Sequence, residues 1–294
     1  MKKQKIGLLY ITPWLIGLLV FTIYPFVSSF ILSFTDYNMI SEPKFIGIKN
    51  YINMFNDESF WNSVFATFEY AFITVPFKLA FALFIAFILN FKLKGINFFR
   101  TAYYIPSILG GNIAIAVLWR FLFATDGLIN QFIGIFGINP IPWFSSGLGA
   151  MITISLLRIW EFGSAMVIFL AALKDIPQEL YEAAEVDGAG KIRIFFNVTI
   201  PLLTPIIFFN LVMQLIQAFQ EFNGPYMITN GGPLYKTYLM SMMIYDNAFK
   251  FFNMGYASAI SWILFIIIMI FTAFVFKSSR YWVFYSDEAG EDSK

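Results

Sequence analysis

Residues 177–201 read PQELYEAAEVDGAGKIRIFFNVTIP, the most polar run in an otherwise apolar chain, and they lie between two long apolar segments. The run predicts a short helix, with Asp175 placed to cap it and Pro177 in the first turn, where a missing N–H costs nothing. Gly188 and Gly190 stop it. Ala183 and Ala184 keep one side thin enough for another protein's backbone to approach, while Glu179, Glu182, Glu185 and Asp187 keep it wet. The reading is a docking helix at a membrane surface.

The membrane follows from composition. Of 294 residues, 59% are hydrophobic and only 13% charged, more apolar surface than a soluble core can bury. A net charge of +1 argues against nucleic acid, whose phosphates call for a basic face. With no Cys and no His, thiol chemistry, thiolate or imidazole metal ligands and a His-based triad are excluded. The apolar run at 7–34 is longer than a signal-peptide core and reads as a retained span.

Six segments are long enough to cross a hydrocarbon core that takes about 20 helical residues. They are 7–34, 63–90, 98–123, 148–174, 200–222 and 256–278, with the docking loop at 175–199, and they define one all-α transmembrane domain over 1–294. Counting six spans puts Lys2, Lys3, Lys5, Lys92, Lys94, Arg100, Lys174, Lys191, Arg193, Lys277, Arg280 and Lys294 on one side. By the positive-inside rule both termini and the docking loop are then cytoplasmic. Gly188-Ala-Gly-Lys191 does not make a nucleotide loop: Glu185 stands where a Walker loop needs Gly, and Ile192 where it needs Ser or Thr. Any ATP and Mg belong to another subunit, and this chain carries no cofactor, metal or catalytic site of its own.

Polar residues inside spans are the second signal, because each is costly in hydrocarbon unless paired or facing water. Asn210, Gln214, Gln217 and Glu221 are spaced four, three and four apart, on one helical face. Such a row lines a water-filled path whose amides suit sugar hydroxyls, or it ties helices together by hydrogen bonds. Arg158, Trp160 and Glu161 fall near the midplane of the fourth span. Arg158 and Glu161 either neutralise each other or bind substrate, and Trp160 either stacks on a sugar ring or packs. Lys78 and Glu69, both in the second span, read as partners of one another. A proton or ion relay through Arg158, Glu161 and Glu221, in a carrier acting alone, is the rival reading; it leaves the docking helix unexplained.

Glu182-Ala183-Ala184, then Gly188, then Val198-Thr-Ile200-Pro201 resembles the E-A-A loop of permease subunits in binding-protein-dependent ABC importers. Val198 and Ile200 replace Ile and Leu and keep apolar bulk. Gly47-Ile-Lys-Asn-Tyr51, Gly127-Leu-Ile-Asn130, Trp143, Thr229-Asn-Gly-Gly-Pro233 and Arg280 to Tyr285 resemble the sugar-importing branch, in particular its larger maltose-type permeases. The resemblance implies a multi-pass protein of a bacterial-type inner membrane, paired with a second permease, two ATPase subunits and an extracytoplasmic solute-binding protein. Glu179, Glu182, Ala183, Ala184, Asp187 and Gly188 would dock on the ATPase, and the loops bearing Asn130, Trp143, Gly231, Gly232 and Pro233 would meet the binding protein. The expected activity is import of a sugar, an oligosaccharide by preference, by alternating access.

Overall fold

The structure, a computed structural model, describes residues 2–91 and 95–284, with side chains from Tyr10 onward. The side chains of Lys2, Lys3 and Lys5, and residues Lys92, Lys94, Tyr285 and Lys294, lie outside the described set. Helices dominate the described residues. In chain order they are α1 (Lys2–Leu18), α2 (Tyr24–Leu32), α3 (Lys49–Phe55), α4 (Glu58–Asn90), α5 (Ile96–Leu109), α6 (Ile113–Leu122), α7 (Leu128–Gly134), α8 (Gly147–Trp160), α9 (Gly163–Asp175), α10 (Gln178–Val186), α11 (Lys191–Ile194), α12 (Ile200–Phe219), α13 (Asn223–Ile228), α14 (Met240–Tyr245) and α15 (Met254–Ser279). A two-residue antiparallel pair, β1 (Thr35–Asp36) with β2 (Lys44–Phe45), completes the set.

Four helical runs are long and apolar enough to cross a membrane: Tyr10–Leu32, Glu58–Asn90, Lys191–Phe219 and Met254–Ser279. Two further runs qualify only as bent pairs, α5 with α6 at 104° and α8 with α9 at 47°. Six spans result where each bent pair counts as one. The third and fourth spans are therefore not the single helices that hydropathy suggests. Gly110-Gly111-Asn112 interrupts the third, where Asn112 caps α6 by accepting from Ala114 N. Glu161 and Phe162 interrupt the fourth.

The packing forms two compact units. The first comprises residues 1–61 and 240–267. In it Trp262 of α15 packs at an angle against Phe26 and Phe30 of α2, with ring centroids 4.6 and 4.7 Å away, and donates to Ser29 Oγ at 3.2 Å. Asn50 donates to the Ser33 and Thr35 carbonyls at 2.9 Å each, and Tyr51 OH to Ser33 Oγ at 2.8 Å. The Asn50-Tyr51 pair thus clamps the end of α2 onto α3.

The second unit comprises residues 62–239 and 268–294. Its helices turn polar faces inward and apolar faces outward: on α4, Ser63, Thr67, Thr74 and Lys78 are buried while Phe65, Phe72, Phe77, Phe81 and Phe84 are exposed. Hydrocarbon outside the protein accounts for that inversion, since lipid solvates Phe and cannot hydrogen-bond a hydroxyl. Phe68, Phe219 and Phe271 form a ring cluster with centroids 5.0–5.6 Å apart. Gly163 lets α9 lie directly against α5, because a Cβ there would strike the Tyr103 carbonyl.

Candidate functional site: a charged cavity and an exposed surface helix

Both helix breaks serve one place. The Glu161 side chain lies against Gly110, where any Cβ would collide with it. The break in α8–α9 frees backbone groups that Ser107 of α5 satisfies: its hydroxyl donates to the Glu161 carbonyl at 3.3 Å and accepts from Ser164 N at 2.8 Å. Non-helical backbone at membrane depth is tolerated where such partners exist.

Beside the breaks is a cavity of about 260 Å³ lined by Tyr70, Gly110, Gly111, Arg158, Glu161, Gln217, Gln220, Glu221 and Asn223, among others. Arg158 is its hub. Its Nη1 donates to Glu161 Oε2 at 2.6 Å, its Nη2 donates to Gln217 Oε1 at 2.6 Å, and its Nε lies 3.7 Å from Glu221 Oε2. Glu221 Oε1 also accepts from Gly224 N at 3.3 Å, which anchors the start of α13. Arg158 and Glu161 neutralise each other, and both line the cavity.

The row on the fifth span divides. Gln217 and Glu221 line the cavity, whereas Asn210 and Gln214 are buried in the second unit away from it. Asn210 donates to the Ile206 carbonyl of its own helix at 3.0 Å. The four residues expected on one face thus fall into a buried pair and a cavity-lining pair, and α12 ends at Phe219, so Glu221 lies just beyond it. Trp160 is also outside the cavity, tilted against Trp119 at 5.7 Å. Lys78 and Glu69 are nine residues apart on one helix, ~13.5 Å along its axis, too far to pair. Tyr70, Gly110 and Gly111 join the site without having been expected there; a lone Tyr in a Phe-rich helix and a Gly-Gly pair inside an apolar span are their only signals in sequence.

The surface run is the helix that the sequence predicts, α10, with one correction. Asp175 is the last residue of α9 and does not cap it; Pro177 occupies the N-cap with no side-chain bond. Gly188 at φ +78 ends it, and Ala189 N closes onto the Ala184 carbonyl at 2.9 Å. Glu179, Glu182, Ala183, Asp187 and Gly188 are exposed and Ala184 half-buried. Apolar side chains beside them also face outward, with Val186 88% and Ile192 78% exposed. Tyr181 OH lies 3.3 Å from Thr199 Oγ1, tying α10 to a π-helical turn, Phe195–Thr199. That turn precedes Pro201 and joins α11 to α12 in one helical run, Lys191–Phe219, ending beside Gln217.

In the two loops, Asn130 is 3% exposed. Its amide donates to the carbonyls of Ala124, Thr125 and Ile141 and accepts from Ile141 N and Trp143 Nε1. Direct contact between Asn130 and a partner is thereby corrected to a role in shaping the loop. Gly231 is buried too, and the exposed tip next to it is Leu234, Tyr235 and Lys236. Gly232 and Pro233 are half-buried.

Residues 55–283 match the profile of the family described as binding-protein-dependent transport system inner membrane component. A protein of Bacillus subtilis (strain 168) described as a probable ABC transporter permease is 47% identical over 98% of this chain and 94% of its own. The trehalose/maltose transport system permease protein of Thermococcus litoralis is 34% identical over 95% of each chain. Among solved structures, a chain of a bacterial alginate ABC transporter in complex with an alginate pentasaccharide-bound periplasmic protein superposes with a TM-score of 0.81 at 20% identity, over 95% of each chain. That likeness shows the fold. The chain is a multi-pass membrane permease and belongs to the binding-protein-dependent transport system inner membrane component family.

Proposed function

We propose that this chain is the permease subunit of an ATP-driven sugar importer, in which α10 receives the movement of an ATPase and the cavity at Arg158 lies on the substrate's path. The observation that carries the reading is the physical link between the two. Tyr181 ties α10 to the turn at Thr199, and from Lys191 an uninterrupted helical run reaches Gln217, whose amide holds Arg158. Rotation of the surface helix is therefore delivered to the cavity, as a stiff helix transmits displacement where a loop would absorb it.

Sugar is the substrate class favoured by the donor set and by the named relatives. Amides, carboxylates and a guanidinium offer both donors and acceptors to hydroxyls, and a relative described as a trehalose/maltose permease is similar along nearly its whole length. ATP and Mg are bound by two ATPase subunits, a second permease completes the path, and an extracytoplasmic solute-binding protein delivers the sugar to the loops held by Asn130 and by Gly231-Gly232-Pro233. Trp143 and the exposed Leu234-Tyr235 tip extend that surface. Both termini and α10 face the cytoplasm. ATP binding closes the ATPase pair and opens the permease pair outward; hydrolysis returns it inward.

The test is co-purification from detergent, followed by reconstitution in vesicles with candidate binding proteins. Recovery of a second permease and an ATPase, with uptake that needs ATP and a sugar-loaded binding protein, is the expected result. Uptake by the chain alone, driven by an ion gradient without ATP, overturns it in favour of the relay through Arg158, Glu161 and Glu221.

A further inference from the structure

Lys78 is 2% exposed, deep in a membrane-spanning helix, and no hydrogen bond or ion pair engages its ammonium among the described residues. An ammonium at this depth costs several kcal/mol unless opposite charge lies near it, so its surroundings must explain it. Two contacts between α4 and α8–α9 bracket its position. Thr74 Oγ1 meets Ser155 Oγ at 3.0 Å, and the Phe81 ring meets Phe162 with centroids 4.7 Å apart and planes at 81°. In both contacts the partner stands 81 positions further along the chain, so the segments run parallel in a fixed register there. That register sets Lys78 beside the turn containing Arg158 and Glu161. Its electrostatic neighbours are Arg158, Glu161 and Glu221. Tyr70, two turns earlier on the same face of α4, reaches the cavity itself.

The cluster thus holds two cations and two carboxylates, yet both carboxylates engage the same guanidinium. Arg158 bonds Glu161 at 2.6 Å and lies 3.7 Å from Glu221, while Lys78 contacts neither within 4 Å. We propose that Lys78 is the reserve partner of this set. When a ligand oxygen takes the Arg158 N–H groups, Glu161 passes to Lys78, so that Arg158 changes partner without stranding a carboxylate in the membrane interior. The exchange suits any ligand that presents acceptor oxygens, and it makes Lys78 a positioning residue that acts through Arg158. The idea rests on the cavity being the substrate path, although the pairing itself does not.

The experiment is a double-mutant cycle on the full chain, purified in detergent with its partners, using Lys78→Met, Glu161→Gln and the combination, read by thermal unfolding and by ATP-dependent uptake. Methionine keeps most of the lysine stem's packing, so it removes the charge and little else. Each single variant is expected to unfold at a lower temperature and to lose uptake roughly tenfold, and the combination is expected to recover part of both losses because it restores the balance of charge. If Lys78→Met alone does not accumulate, accumulation of the combination is the same result. Lys78→Arg is expected to retain uptake. Strictly additive losses, or a neutral Lys78→Met, overturn the proposal. Failure of the unaltered complex to take up sugar with ATP would count against the importer reading, while the unfolding cycle would still decide the pairing.

Discussion

The cavity and the surface helix α10 are the two most charged places in the second unit, and they treat charge in opposite ways. In the cavity Arg158, Glu161 and Glu221 are largely buried and locked to one another within 2.6–3.7 Å. On α10, Glu179, Glu182, Glu185 and Asp187 are exposed and enter no ion pair among the described residues. Charges that satisfy each other at depth hold a shape that a ligand must compete with. Charges left open on a surface, with Val186 and Ile192 bare beside them, are available to another protein.

That contrast can be broken by removing charges from each place. Arg158→Gln leaves two carboxylates in the cavity without their guanidinium, and thermal or denaturant unfolding in detergent is expected to show a loss of about 3–5 kcal/mol, with uptake abolished. An intermediate effect is expected where shape, not charge, is changed. Gly110→Val drives a side chain into Glu161, and overpacking of this kind costs about 1–3 kcal/mol. Its uptake should fall with the Arg158–Glu161 contact, visible as loss of sugar binding while the ATPase still co-purifies. The smallest change in stability is expected on α10: Glu182→Lys should leave unfolding within about 0.5 kcal/mol of the parent. Uptake is nevertheless expected to disappear in that variant, with the ATPase lost from the purified complex. A stable, assembled and active Glu182→Lys complex would sink the docking role, and an Arg158→Gln chain of unaltered stability would show that the cavity charges are not a paired set.

Much of this contrast is legible in the sequence. Hydropathy runs, the exceptional polarity of 177–201 and the helix stop at Gly188 are local properties, dictated within a few residues of where they act. So is the placement of Arg158 and Glu161 one turn apart. The row on the fifth span is legible only in part, because periodicity assigns residues to a face and says nothing of what covers it. Neighbouring helices bury Asn210 and Gln214 and leave Gln217 open to the cavity. Lys78 shows the same limit: sequence distance suggests Glu69, whereas the register of α4 against α8–α9 sets Lys78 beside the turn containing Arg158 and Glu161.

Residue by residue, the sequence already places this protein in a membrane and puts a polar helix between its fourth and fifth spans. These follow from transfer energies and backbone preferences that each residue carries wherever it is placed. Three-dimensional packing alone decides where two spans break, that the Glu161 side chain lies against the glycine at 110, and that one guanidinium serves two carboxylates and an amide drawn from segments some sixty residues apart. Those are matters of packing, and in packing a residue's partner is set by the path of the whole chain.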